Sequence, residues 1–494
     1  MSRKFGYITL LAVTTLLWNL SSCRQDVIFA GSDIPLEFSL DTLRFDTVFT
    51  EIGSVTRSFR IFNPLDEAVI IDAVELEEGD NSKFRLNVDG IPGSQVQDTR
   101  IEAQDSIHVF VEVTVDPDAP LSISPFVIEE LIHIRANNSS FDIHLEAWGQ
   151  NANYPTMFDN GTINPFSCNG GTLVWDDPKP YVIYGVLFLD GCVLRIAPGT
   201  DIFVHGGVGI NEQLGIFNDG IIVISENSRI ESLGTADEPV TFSSDRLEDE
   251  FAEVAGQWAG ILIQAGSRGN RMEHTIVRHP IIGVSVDSAA TLSLDNCVFG
   301  FTGSSGLVAE HADVTATNCL FFQNGTNGIS LGYGGNYTLT HCTSANYDNQ
   351  GVAIAANNIR CTDPLCLEEI RVNPLNLSLD NCILTGNDMD EISFFDIFDG
   401  TEPGAFEYSL SHTFLNVEET LEDETFADFF DHCEACVTVT RMDSLFISID
   451  EHDYHLDTTS LAIDQGRFVG VTSDLDDNPR EIEAVDVGCY EFQK

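Results

Sequence analysis

Residues able to do acid–base or nucleophilic chemistry are unevenly supplied in this chain. Its 494 residues hold 23 Lys+Arg against 78 Asp+Glu, a formal net charge of −55. The only lysines are Lys4, Lys83, Lys179 and Lys494. Elimination across a uronate needs a base and a cation that neutralises the carboxylate. From His274 to Ala355 the one basic residue is Arg278, so no catalytic residue is assigned. His452-Asp453-Tyr454-His455 offers two imidazoles and a carboxylate, an incomplete metal site, and no metal is expected there. Asp474, Asp476 and Asn478 mimic the start of a calcium loop. Pro479 replaces the glycine at its sixth position and Val485 the glutamate at its twelfth. A plain closing turn is expected, with a carboxylate-bound Ca²⁺ as the alternative; no other cofactor is expected. Trp175 is the candidate glycan contact, whereas Trp258 is expected to pack.

The cysteines are more informative. His274-Thr275, Asn296-Cys297, Asn318-Cys319 and His341-Cys342 recur at steps of 22, 22 and 23 residues, and Asn381-Cys382 follows after 40. Gly283, Gly306, Gly328 and Gly351 keep the same register, as do Leu294, Ala316, Leu339 and Leu379. A 22-residue period with strand-like alternation and a turn at each corner predicts a solenoid of three-stranded β coils. Equivalent residues then stack about 4.8 Å apart. Histidine and asparagine share the turn column, which favours a structural ladder of His274, Asn296, Asn318, His341 and Asn381 over a catalytic base. Cys297, Cys319, Cys342 and Cys382 are expected inside as free thiols, because stacked coils do not aim neighbouring thiols at each other in disulfide geometry. Phe299 and Phe321 face inward with them. Cys361 with Cys366, and Cys433 with Cys436, are the candidate disulfides; a zinc site at Cys433 and Cys436 is the weaker alternative.

These residues imply the elements that hold them. Residues 1–22 read as a signal peptide: Arg3 and Lys4, an uncharged apolar run from Phe5 to Leu20, then Leu20-Ser21-Ser22-Cys23, which resembles a bacterial lipobox. Cys23 is the expected lipidation site and the link to a membrane. Residues 23–40 read as a tether. Residues 41–150 alternate in short runs such as Ile107–Val115 and Phe141–Ala147, predicting an antiparallel β-sandwich. Residues 151–440 form the solenoid, with loops 356–376 and 386–440 projecting, and residues 441–494 close it. The class is all-β. A surface this acidic repels nucleic acid, which is excluded as a partner.

Family resemblances sharpen this outline. Phe45-Asp46-Thr47-Val48-Phe49, Asn63-Pro64 and Val113-Thr114-Val115-Asp116-Pro117 resemble Ig-like modules of the abnormal-spindle and hydin type, implying a spacer. Pro180-Tyr181-Val182-Ile183, Cys192–Thr200 and Gly256-Gln257-Trp258-Ala259-Gly260-Ile261 resemble right-handed parallel β-helix lipoproteins of Bacteroidetes type, with a pectin lyase-like fold. Tyr454-His455-Leu456, Ser460–Gly466, Asp474–Arg480 and Val485–Glu491 resemble the choice-of-anchor-Q segment, which closes such helices. Cys168 and Cys192, one coil apart, are placed to staple its opening. Cys489 stands where that pattern usually has a small residue. The resemblance implies an outer-membrane lipoprotein at the cell surface or on the periplasmic face. The expected function is non-enzymatic: a rigid β-helix face binding a glycan or a surface protein. The alternative is a polysaccharide lyase or glycoside hydrolase with a diverged site, since the paired Asp and Gly-His-Gly turn of the hydrolases are not found.

Overall fold

Alternating apolar and polar residues make two-faced strands, and two such sheets bury their apolar faces against each other. The computed structural model describes residues 28–493 apart from 32, 50–55, 115–125, 156–164, 212–214, 348–350, 362–368 and 419–428. The expected signal peptide, residues 1–22, and the expected lipidation site, Cys23, lie outside the described residues. Met1–Asn151 and Ala152–Lys494 are separate compact units. The first is a β-sandwich. One sheet runs Glu37–Phe38, Arg57–Phe62, Ser106–Val113, Phe84–Val88, Ile91–Gly93. The other runs Thr42–Phe49, Ser139–Gln150, Phe126–Ala136, Val69–Leu76, Gln95–Ile101. Its core includes Phe59, Ile71, Phe84, Val109 and Ile132.

Two expectations need correction here. The sandwich is not wholly antiparallel: Thr42–Phe49 pairs in parallel with Ser139–Gln150. The two strands are remote in sequence, so no hairpin imposes an antiparallel pairing. Nor are residues 28–40 a free tether. Phe29 N–H donates to Ala68 O, Glu37–Phe38 pairs with the strand at Arg57–Phe62, and Ile34 and Leu36 are buried in the core.

The second unit is a three-sided parallel β-helix. Successive coils supply strands to three faces in the order face 1, face 2, face 3, the last described coil to faces 2 and 3 alone. Ten parallel strands build face 3: Tyr181–Tyr184, Asp201–His205, Val240–Ser244, Thr275–Arg278, Val298–Thr302, Leu320–Asn324, Thr343–Asn346, Ile383–Gly386, Phe414–Leu415 and Val437–Thr438. We number coils 1 to 10 by these strands. Faces 1 and 2 run together as one sheet, because Leu307–Thr317 and Ile329–Thr340 continue round the corner between them. Residues 386–440 are therefore not one projecting loop: Ile392–Phe395, Phe406–Ser411, Phe414–Leu415, Cys433–Glu434 and Val437–Thr438 belong to the later coils. Real insertions are the hairpins Val208–Asn211/Gly215–Asn218 and Ile359–Cys361/Ile370–Val372. Inside the helix, Phe299 stacks on Phe321 at 5.2 Å among inward Leu, Ile and Val.

The C-terminal segment does not simply close an end. It lies along the outer side of face 3 and makes a second core there. Phe301, Leu320, Phe322, Ile383 and Phe414 point outward from coils 5 to 9 against Phe446, Tyr454, Leu456, Leu475, Val487 and Cys489. Face 3 strands in this stretch are consequently buried on both sides, as Thr343–Asn346 and Ile383–Gly386 show.

Candidate functional site

The ladder residues sit at the corner between faces 2 and 3, and their backbone explains their type. His274, Asn296, Asn318, His341, Asn381 and His412 all have φ between 39° and 54°. A left-handed bend is costly for most side chains and is tolerated best by glycine, asparagine, aspartate and histidine. Neighbours in the column bond to one another. Asn296 Nδ2 reaches His274 Nε2 at 3.2 Å, Asn318 Nδ2 donates to Asn296 Oδ1 at 3.0 Å, and Asn381 Nδ2 reaches His341 Nε2 at 3.1 Å. The C-terminal segment then docks on this column. Asn318 Nδ2 donates to Ser473 O, Asn381 Nδ2 donates to Arg467 O, and Arg467 N–H donates back to Asn381 Oδ1. His341 is fully buried. Burial, followed by the nearby Arg480 charge, pushes its pKa down to about 3, so it is a neutral strut.

Each residue after the bend turns inward. Cys297, Cys319, Cys342 and Cys382 are buried free thiols, each donating to the carbonyl two residues earlier. Cys489 is also free and buried, in the outer core. Disulfides join Cys168 to Cys192 and Cys433 to Cys436, at the first and last corners of the stack. Cys361 is disulfide-bonded; Cys366 lies outside the described residues.

Other chemistry-bearing residues are occupied. His455 Nδ1 meets Asp453 at 2.6 Å, its Nε2 meets Asp476 at 2.8 Å, and its ring stacks on Tyr490. The Asp476 hydrogen bond, opposed by burial and reinforced by Asp453, raises its pKa to about 9. The site is an imidazolium between two carboxylates. Asp474 Oδ1 accepts the N–H groups of Asp476 and Asn478, and Oδ2 accepts Glu491 N–H and Asn478 Nδ2. Both oxygens of Asp474 are thus engaged by N–H donors of the turn it closes. Among the described residues no group of three or more His, Cys, Asp or Glu could hold a metal. Trp175 is not a glycan contact. It is 2% exposed and stacks on Tyr181 at 4.5 Å inside the first coils.

Two outward surfaces remain. On face 2 the central outward column reads Arg195, Glu231 and Arg271 in coils 2 to 4, with Glu231 bonded to Arg195 and Arg229. It then becomes Ser293, Thr315, Thr338, Ser378 and Ser409 in coils 5 to 9. One flanking column carries Thr291, Asp313, Asn336, Asn376 and Glu407. In it Asn336 Nδ2 donates to Asp313 and Asn376 Nδ2 to Asn336 Oδ1. The other carries Asp295, Thr317, Thr340, Asp380 and Ser411. A groove of about 340 Å³ lies over Asn336, Thr338, Asn376, Ser378, Glu407 and Ser409. The second surface is a cluster on coils 1 to 3. His205 Nδ1 meets Asp245 Oδ2 at 2.8 Å, Tyr184 donates to the same oxygen at 3.2 Å, and the Tyr184 and His205 rings stack at 4.5 Å.

Residues 282–360 match the family model of the right handed beta helix region. With the parallel sheets above, this makes the second unit a right-handed parallel β-helix. No curated protein matches the chain. Among solved structures, the catalytic unit of a thermostable GH87 alpha-1,3-glucanase from Streptomyces thermodiastaticus is similar at 12% identity. That match covers 72% of this chain and 73% of that one, with a TM-score of 0.27. A protein of unknown function from Porphyromonas gingivalis is similar over 26% of this chain and 51% of its own, at 16% identity and TM-score 0.18. A family 123 glycoside hydrolase from Clostridium perfringens is similar over 28% of this chain and 27% of its own, at 11% identity and TM-score 0.18. The chain thus spans about half or less of the length of these last two. At these scores the likenesses bear on no activity.

Sequence reasoning missed both surfaces. The face 2 rows were visible only as alternation, since their meaning depends on which side stays uncovered. Tyr184, His205 and Asp245 are 21 and 40 residues apart, outside the 22-residue period.

Proposed function

We propose that the chain is a non-enzymatic surface lipoprotein whose β-helix is a binding platform for a glycan or a surface partner, with face 2 of coils 5 to 9 as the contact. The observation that carries this is the central row Ser293, Thr315, Thr338, Ser378 and Ser409. In a chain of net charge −55, five successive coils place an uncharged hydroxyl in the middle of an outward face. Strand pairing holds these groups at a fixed repeat of about 4.8 Å, so little conformational entropy is lost when they bond a ligand. The lipid on Cys23 anchors the chain in the outer membrane, and the sandwich acts as an Ig-like spacer.

The test is a screen of the full chain against neutral and sulfated polysaccharides, reading both retention and released reducing ends. Binding without product, weakened tenfold or more by Thr315→Glu with Thr338→Glu, is expected. Released product would establish the lyase or hydrolase reading instead. Protease access on intact cells reads which face of the outer membrane carries the domain.

A further inference from the structure

Face 2 changes character along its length. From coil 5 to coil 9 its outward columns hold no cation. On coils 2 to 4 they hold Arg195, Arg229 and Arg271, with Arg268 just ahead of the coil 4 strand. These are four of the eleven arginines after residue 151. The Arg195, Arg229 and Arg271 side chains are 46%, 42% and 45% exposed, and Arg268 is exposed as well. All four guanidiniums are therefore open to a ligand.

Two carboxylates share this surface with them. Glu231, only 8% exposed, accepts Arg195 Nε at 2.8 Å through Oε2 and Arg229 Nε at 2.9 Å through Oε1. Glu273 accepts Arg271 Nη1 at 3.2 Å. Arg268 pairs with no carboxylate among the described residues. Glu231 thus holds Arg229 through Nε and leaves its two Nη groups for an outside acceptor. Four guanidiniums against two carboxylates make a local positive excess in a chain of net charge −55. Guanidinium forks match the paired oxygens of an anion.

The surroundings restrict that anion. Asp190, Glu226 and Asp287 lie at the corner with face 1, and Asp237 and Glu238 at the corner with face 3. A densely charged polymer such as nucleic acid would meet these carboxylates together with the arginines. An isolated anionic group would not, since charges beyond about 8 Å are screened at physiological salt. A tetrahedral ester with three free oxygens can bond guanidiniums from neighbouring coils at once, which the two coplanar oxygens of a carboxylate do less well. The hydroxyl row then continues on the same face, Ser293 standing next to Arg271 in the central column.

From this we infer that Arg195, Arg229, Arg268 and Arg271 seat a sulfate ester of a sparsely sulfated glycan bound along face 2. The inference rests on the platform reading for the glycan and adds the charged group that sets its position along the helix.

Isothermal titration of the full chain tests it. The probes are κ-carrageenan and chondroitin 4-sulfate hexamers, each beside its desulfated counterpart, and hexagalacturonate as a carboxylate-only anion. At least one sulfated hexamer should bind, and removal of its sulfate should weaken it about 10- to 100-fold, the range for hydrogen bonds to a charged group. Arg229→Gln with Arg268→Gln, which leaves Glu231 paired with Arg195, should weaken the sulfated hexamer by a similar factor. Arg44→Gln with Arg371→Gln removes the same charge from exposed positions elsewhere and should change nothing. The inference is overturned by equal binding of a sulfated hexamer and its desulfated counterpart, by hexagalacturonate bound as tightly as any sulfated hexamer, or by a loss that both pairs of variants share. Binding of no sulfated hexamer also overturns it. A desulfated hexamer that binds as well as its sulfated form and is lost through Thr315→Glu with Thr338→Glu leaves the platform standing and overturns this inference alone. Sulfate-dependent binding that the threonine variants leave intact supports the arginine seat and overturns the hydroxyl-row platform.

Discussion

Arg480 is the one cation buried at the centre of the C-terminal segment, and its replacement by methionine tests how that segment is held. Its side chain is 0% exposed and pairs with Glu491, 7% exposed, at 2.8 Å. The same guanidinium donates to Asn318 Oδ1 at 3.0 Å, to Gly488 O at 2.9 Å and to Asp486 O at 3.3 Å. It therefore ties the ladder to the segment. Removing one member of a buried pair costs about 3–5 kcal/mol when the other stays charged. Glu491 decides how much of this is felt. Burial, then repulsion by Asp486, raises its pKa to about 7 although Arg480 opposes them. A carboxyl raised in the fold binds more protons folded than unfolded between about 4.5 and 7. The native protein loses stability across that window, by about 3 kcal/mol at 1.4 kcal/mol per unit, and levels off above it. Without Arg480 the carboxyl rises further, and the loss continues past pH 7. Arg480→Met should therefore cost about 3–5 kcal/mol at pH 8.5. At pH 5, where Glu491 is neutral in both proteins, only the unpaired acceptors remain, about 1–3 kcal/mol. Urea unfolding at both pH values, with amide exchange of residues 467–493 as the local probe, reads the difference. An equal or larger penalty at pH 5 would refute the buried-charge argument. No penalty at either pH would refute the clamp.

Three further outcomes follow from the packing. Trp175→Ala should destabilise the β-helix by about 3–5 kcal/mol through the cavity it leaves while glycan retention is unchanged; lost retention at full stability would reinstate it as a contact. Cys297, Cys319, Cys342, Cys382 and Cys489 should not react with a thiol reagent until guanidinium unfolds the chain, and rapid native labelling of any of them would contradict their burial. His341, held near pKa 3, is neutral when folded while the unfolded residue takes a proton below about 6.5. Stability should fall as pH drops through that window, by up to about 5 kcal/mol at pH 3. His341→Asn, matching its ladder neighbours, should remove that share of the acid sensitivity; an unchanged acid profile in urea titrations would show that the histidine is not the sensor.

How much of the fold was legible depended on regularity. Coils 4 to 7 repeat at 22, 22 and 23 residues, and there a bend residue is followed by Thr275, Cys297, Cys319 or Cys342, so the column could be read directly. In coils 9 and 10 the bend is His412-Thr413 and Ala435-Cys436, after steps of 31 and 23. The bend survives, but its markers change, and the residues between looked like a loop. Trp175 lies outside the resembled core motif that marks Trp258 for packing; its ring lies on Tyr181, a neighbour no local pattern announces. Segment 441–494 carried recognisable motifs, yet their docking along coils 5 to 9 depends on outward Phe301, Phe322 and Phe414, residues that read as ordinary strand positions until the second core is seen.

The functional residues were harder to read for a related reason. In a β-helix, histidine and asparagine serve the backbone before they serve chemistry, because each corner needs a residue tolerant of positive φ. A histidine column is therefore weak evidence of catalysis, and His274, His341 and His412 owe their places to the bend. The informative histidine is one the backbone does not require. His205 sits at the end of a strand, is bonded through Nδ1, and neighbours two carboxylate oxygens that nothing in the described structure satisfies. Backbone demand, subtracted first, leaves the side chains whose chemistry still needs an explanation. On this helix that leaves the hydroxyl row of face 2, whose groups can both donate and accept hydrogen bonds and whose place no backbone bend requires.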